Sequence, residues 1–511
     1  MGKLKVILSI LTLICVALSF SACFGGEESA LTFQLLSDGT YALTDCVVEE
    51  SGEVIIPETY KGKKVTKIGD EAFKHCFLIE GITIPKSIKS IGADALFGTE
   101  RLTKINYLGS WDDWLNIEFS DAWSNERGSF AEFYLNGEKV SDINFTTEKQ
   151  LKSVMFDFYQ FFYSAKIPAS AINYIPKNKL NKIEIVSGET IPSGAFSEFN
   201  TLHEVTLSSG LKTVGEDAFK GNEYIEKVNF NGSVLEWATI DFKNAFANPL
   251  YYGNMLYVNG ELISNINLTG IDKVANFAFI NCENLTAVTI GEGVTDVGER
   301  AFHNCENLET IELGEGLKNL GVYSFSNCGV KNLVIPNSVV SIDSSAFSDC
   351  LKLTDLTIGN SVKNVYSQAF NGCVYIEKVN YLGTIDGWVS IDFEGDASNG
   401  SNPVFFSNNL YINDVLLTDA VINANTIKAN SLSWCYSLKN VVIGENVKRI
   451  DKGVFVFLQP TSVSFTVYEG WSACDERNST STPISSSDLQ NDGTANEYLK
   501  STYCYYTWIR N

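Results

Sequence analysis

From Leu285 to Phe302 apolar and polar positions follow a fixed order: Leu285, then Val288 and Ile290 flanking Thr289, then Val294, Val297 and the pair Ala301-Phe302. Alternation about Thr289 predicts a short strand with Val288 and Ile290 on one face. Gly291 ends that strand, as Pro85 and Pro336 do after Ile84 and Ile335; Val294 and Val297 then return to the interior, with Gly298 or Asp343 at the next bend. The phrase closes on Ala-Phe with a cysteine three residues later, and Phe279, Phe302, Phe325, Phe347 and Phe370 lie 23, 23, 22 and 23 residues apart. A period of this size predicts a solenoid of stacked turns with parallel strands, each turn completed by its neighbours.

The same phrase stands at Phe73, Leu96, Phe196, Phe219, Leu432 and Phe455. Cys76, Cys282, Cys305, Cys328, Cys350, Cys373 and Cys435 form a column behind it, and Thr99 and Asn222 fill the same slot elsewhere. A slot that accepts Thr and Asn predicts a ladder of small buried side chains, with thiols used as compact apolar groups. Cys46, Cys474 and Cys504 stand outside the column, and a Cys474–Cys504 bridge is open to the chain.

Three longer units interrupt the regular turns, near 105–145, 228–268 and 379–420. They begin at Ile105-Asn-Tyr-Leu-Gly109, Val228-Asn-Phe-Asn-Gly232 and Val379-Asn-Tyr-Leu-Gly383, with Trp114, Trp237 and Trp388 five residues past the glycine. A Trp kept at one internal offset reads first as core and second as a sugar-stacking platform. Each unit later carries Tyr134-Leu-Asn-Gly, Tyr257-Val-Asn-Gly or Tyr411-Ile-Asn-Asp, a strand running into a tight turn. Residues 147–164 are unlike anything else in the chain. Leu151, Val154, Met155, Phe158, Phe161 and Phe162 recur at helical spacing, predicting one amphipathic helix that packs on the solenoid or meets a partner or membrane. Loop is expected from Ile167 to Pro176, with strands resuming at Lys182. At the ends, residues 31–64 read as a β cap built on a strand, a turn at Asp38-Gly39 and a second strand, and residues 463–511 as a small β-rich C-terminal module.

Charge narrows the partners. The 511 residues carry a net charge of −23 with no basic run, which argues against nucleic acid. The three histidines, His75, His203 and His303, occupy variable turn positions, and neither a nucleophile elbow, a phosphate loop nor a zinc-protease motif is present. No catalytic residue, metal ligand or cofactor is assigned from the sequence, and the chain is expected not to be an enzyme.

Lys3, Lys5, the apolar run Val6–Phe20 and Ser21-Ala22 before Cys23 resemble a bacterial lipoprotein signal. That resemblance implies a signal peptide over 1–22, lipidation of Cys23, a tether over 23–30 and an extracytoplasmic, lipid-anchored location at the bacterial membrane or cell surface. Phe20 departs from the usual Leu; an ordinary secretory signal and a retained anchor are the other readings. The repeat over residues 65–462 resembles the BspA-like leucine-rich repeat family. The resemblance implies a right-handed parallel β-rich solenoid, and the spacings set its turns at about 23 residues. It also implies a surface protein that recognises proteins or adheres to host or neighbouring cells. The alternatives are a glycan-binding surface protein and a structural envelope protein. The candidate ligand contacts are aromatics of the long units and the C-terminal module: Trp111, Trp123, Tyr251, Tyr252, Phe405, Phe406, Trp471 and Trp508.

Overall fold

The structure is a computed structural model that describes residues 30–47, 52–110, 113–114, 116–120, 131–140, 142–144, 164–167, 169, 172, 180–396 and 398–511. The signal peptide, Cys23, Trp111 and Trp123 lie outside these residues, as does the segment expected to be helical up to its last residue. Ser164 itself opens the strand Ser164–Ile167, so neither it nor Ile167 is helix or loop. The chain is a parallel β-solenoid of about 23 residues per turn. It divides near Val140 into two compact units, close to the 147–164 segment where the repeat is broken.

In the first unit the expected hairpin forms between Leu31–Leu35 and Tyr41–Cys46. Gly39 at φ +83° and the Asp38 carboxylate, which accepts the Thr40 amide, make its turn. The second hairpin strand then starts a parallel stack with Lys63–Ile68, Ser90–Ile91 and Glu118–Phe119. A second sheet runs parallel through Gly52–Ile55, Ile79–Pro85, Lys104–Leu108 and Glu132–Leu135 and ends on the antiparallel Glu138–Lys139. Cys46 and Cys76 are joined by a disulfide, with Cα atoms 5.9 Å apart. This corrects the assignment of Cys76 to the thiol ladder: in the first turn its neighbour is the hairpin cysteine rather than a preceding repeat. Closing a loop of 30 residues stabilises the unit by about 3–4 kcal/mol.

In the second unit each regular turn gives one strand to each of two parallel ladders. Ala287–Ile290, for example, lies between Asn265–Leu268 and Thr310–Leu313, with Val288 and Ile290 buried as their alternation requires. Inside, Phe279, Phe302, Phe325, Phe347 and Phe370 stack with centroids 4.9–5.6 Å apart and planes within 7° of parallel. Cys305, Cys328, Cys350 and Cys373 each donate to the carbonyl of the preceding turn's Phe at 3.0–3.3 Å. The ladder is therefore hydrogen-bonded as well as compact. Burial pushes the Cys282 thiol up to about 12 and raises those of Cys305 and Cys328 well above their ordinary value, so these three sulfurs stay protonated.

The stack ends by a change of strand direction. Thr507–Arg510 pairs antiparallel with Arg449–Ile450, where a further turn would pair parallel. The Gly453 amide gives to the Cys504 carbonyl the bond that earlier turns give to their successor, as Arg300 gives to Val322. Trp471–Asp475 and Thr480–Pro483 complete this cap sheet, and the short helix Asp492–Glu497 covers the last inner strand, with Asn496 Nδ2 donating to the Pro460 carbonyl. Cys474 and Cys504 are not bonded to each other.

Candidate functional site

The long units are examined first for what their architecture consumes. Their shared asparagine, Asn106, Asn229 or Asn380, accepts from the backbone amide of Gly137, Gly260 or Asp414 at 2.8 Å, fixing the later turn. Asn136, Asn259 and Asn413 return a bond to the carbonyl of Gly109, Gly232 and Gly383 at 2.9–3.0 Å. Those glycines are obligatory because a Cβ there would sit 2.5 Å from the ring of Tyr107, Phe230 or Tyr381. Trp114, Trp237 and Trp388 are fully enclosed, and the Nε1 of Trp237 and Trp388 donates to the carbonyls of Ala278 and Ser431 at 2.7 Å. Their burial excludes a sugar-stacking role for these three rings.

What this scaffold leaves at the surface is a pair of aromatics after a proline. Asn248 and Asn402 donate to carbonyls of the next turn, at Phe277 and Asn430. Each leads through Pro249 or Pro403 into a one-turn helix, Leu250–Gly253 or Val404–Ser407, closed by a left-handed asparagine, Asn254 or Asn408. Tyr251-Tyr252 and Phe405-Phe406 ride on these helices and are half-buried. The tyrosine pair is closed on itself: Tyr251 and Tyr252 pack on Phe246, and the Tyr252 hydroxyl accepts the Gly221 amide at 2.9 Å. The phenylalanine pair instead continues outward. Phe405 meets Trp434 at 5.1 Å, and Trp434 meets Tyr436 at 6.1 Å and stacks on Phe457 at 4.2 Å. Tyr436 and Phe457 are exposed, so the five rings form one aromatic edge on the solvent side of the last turns.

Trp434 and Phe457 stand two residues after the repeat's core aromatic or its Leu substitute, in a slot whose backbone is left-handed, at φ +67° and +59°. Upstream the slot holds Asn281, Asn304, Asn327, Asp349 and Gly372, residue types that tolerate this conformation. Asn304 and Asn327 also donate to the asparagine of the preceding turn at 3.1 Å. A bulky side chain in the same conformation costs about 1–2 kcal/mol. Sequence reading missed Trp434, Tyr436 and Phe457; the available trace was an aromatic where the slot in the second unit otherwise holds Asn, Asp, Gly or, at Glu198, Glu.

Trp471 and Trp508 are withdrawn as contact candidates. Each is 1% exposed, packed with Phe465 between the cap sheet and the last inner strand. They are the cap's own core. The aromatics this module does present are Tyr505, 67% exposed, and the half-buried Tyr506. Among the described residues no cluster of His, Cys, Asp and Glu is arranged to hold a metal ion, and no helix is long and apolar enough to cross a membrane.

Three solved structures overlap this chain at low identity and low structural similarity. A leucine-rich cell surface protein from Faecalibacterium prausnitzii is 18% identical, with 73% of this chain and 99% of that one covered and a TM-score of 0.33. A leucine-rich repeat protein from Bacteroides ovatus is 18% identical over 86% and 90%, with a TM-score of 0.28. The pneumococcal vaccine antigen PcpA is 18% identical over 82% and 93%, with a TM-score of 0.33. No curated protein matches in sequence. Residues 51–157, 131–250, 165–272, 272–395 and 388–470 match the BspA type leucine rich repeat region, and together they span most of the chain. With its 23-residue period, Ala-Phe spine and parallel turns, this chain belongs to the BspA-type leucine-rich repeat family.

Proposed function

We propose that this chain is a lipid-anchored surface protein that recognises a protein partner on a host or neighbouring cell through the aromatic edge of its last turns. The observation that carries the reading is the pair Trp434 and Phe457 held in left-handed backbone at the surface. Their rings stack on each other and on the leftover aromatics of the third long unit instead of filling the core. Backbone strain that the fold does not need concentrates at contact sites. Aromatic side chains are the residue class that dominates binding energy in protein interfaces. Anchoring through Cys23 follows from the signal-like segment before it.

The reading is tested on an array of extracellular-matrix and cell-surface proteins with residues 31–511 and with the Phe405→Ser/Trp434→Asn variant. Binding that falls at least tenfold in the variant supports it; undiminished binding, or no binding to any member, sinks it. Anchoring has a separate readout. Cys23→Ala should release the protein from the membrane fraction or block its maturation, and unchanged retention would refute a lipid attachment at this residue.

A further inference from the structure

A groove of about 670 Å³ runs between the last repeat turns and the C-terminal cap. One side is formed by Phe457, 49% exposed with its other side stacked on Trp434, and another by Tyr505, so two aromatic rings line it. The polar lining carries both signs. Asp396 sits on a loop within the third long unit, and Asp475, Arg477 and Asn478 on the tight turn of the cap hairpin. Asp475 is held below its ordinary pKa by the Asn478 side chain and the turn amides, and Asp396 by Ser398, which keeps both carboxylates ionised as acceptors. Lys452 is engaged with Glu476 at 3.7 Å, whereas the exposed Arg477 guanidinium makes no ion pair or side-chain hydrogen bond among the described residues and acts on Asp475 through its charge.

The chemistry of this lining selects among occupants. Its aliphatic side chains are limited to Ala429 and Val456, so there is no deep apolar subsite of the kind that seats a hot-spot side chain of a protein. Three carboxylates in a chain of net charge −23 oppose a uronate, sulfate or sialate. A polyhydroxylated chain answers both conditions. Each hydroxyl donates to one group and accepts from another, as the interleaved carboxylate, amide and guanidinium demand, and the C–H face of a pyranose ring lies on an aromatic face. The volume is that of a small-molecule site rather than a macromolecular interface.

We propose that this groove is a subsite for a neutral oligosaccharide, with Phe457 and Tyr505 as ring platforms and Asp396, Asp475, Arg477 and Asn478 as the hydroxyl-binding groups. It borders the proposed protein-recognition edge and shares Phe457 with it, while Tyr505 and the four polar groups lie outside that edge, so variants at Tyr505 and Arg477 separate the two readings.

Affinity electrophoresis of residues 31–511 through gels containing mannan, xylan, mixed-linkage glucan, starch or soluble chitin oligomers tests it, with heparin and hyaluronan gels as the anionic arm. The expected result is retardation by at least one neutral glycan, weakened at least tenfold by Tyr505→Ala and by Arg477→Ala and unchanged by Tyr375→Ala, an exposed aromatic that does not line the groove. Both altered residues are solvent-exposed, so the fold tolerates the changes. No retardation by any neutral glycan, retardation by the anionic glycans alone, or retardation indifferent to both groove variants each overturns the proposal.

Discussion

The turns ending at Phe302, Phe325 and Phe347 and those ending at Leu432 and Phe455 enclose the same kind of interior but present opposite surfaces. Inside, each has paired parallel strands and a fully or almost fully buried spine residue. Outside, the first group fills its left-handed slot with Asn304, Asn327 and Asp349, and the second with Trp434 and Phe457. An asparagine there satisfies the backbone and links one turn to the next; a tryptophan strains the backbone and offers a ring to solvent. On the proposed reading, then, a departure from the residues usual in this slot singles out Trp434 and Phe457 more sharply than the presence of surface aromatics alone. Tyr251 and Tyr252 show the limit of the latter criterion, since their contacts are internal.

Three experiments press on that contrast. The largest effect should come from the shared interior: Phe325→Ala breaks the ring stack on both sides and is expected to cost about 3–5 kcal/mol, read by urea unfolding. A loss under about 1 kcal/mol would mean that the stack is not what holds the turns. Next comes the slot itself. Asn327→Trp should lose about 1–2 kcal/mol from left-handed strain, compounded by the broken bond to Asn304. Trp434→Asn should leave the melting temperature nearly unchanged, relief of strain offsetting lost ring contacts. Equal losses in the two variants would make Trp434 an ordinary structural residue.

The smallest effect concerns His303, whose Nδ1 is buried without a partner among the described residues. Burial, then the charge of Arg300, lowers its pKa below 6.5, with Asp349 opposing. The unfolded chain therefore binds this proton more readily than the folded one. Stability is complete above pH 6.5 and declines as pH falls below it towards the folded pKa. Melting temperatures at pH 7.5 and 5.5 should differ less in His303→Gln than in the parent, and an identical difference removes His303 from the account.

Much of this was legible in the sequence because it repeats. The Ala-Phe-Cys spine, the strand positions and the enclosure of Trp114, Trp237 and Trp388 follow from residues kept at one offset in many copies. What occurs once was not. The Cys46–Cys76 bond depends on two Cα atoms brought to 5.9 Å by a hairpin, a distance no spacing encodes. Trp471 and Trp508 read as surface aromatics because their module has no second copy from which burial could be inferred. Each turn also has a second left-handed position, two residues before the spine aromatic. It accepts Phe277, Arg300, Tyr323 and Ser345 and so has no compositional trace.

The antiparallel strand Thr507–Arg510 has a consequence for how such a chain can vary. Because it terminates growth at one fixed place, the 23-residue units upstream act as interchangeable spacers between the second unit's start and its aromatic edge. Each unit inserted or deleted shifts that edge by one strand spacing, about 4.8 Å, and leaves its residues unaltered. Distance and specificity are encoded in separate stretches of the gene: gain or loss of whole units can retune the first without touching the second.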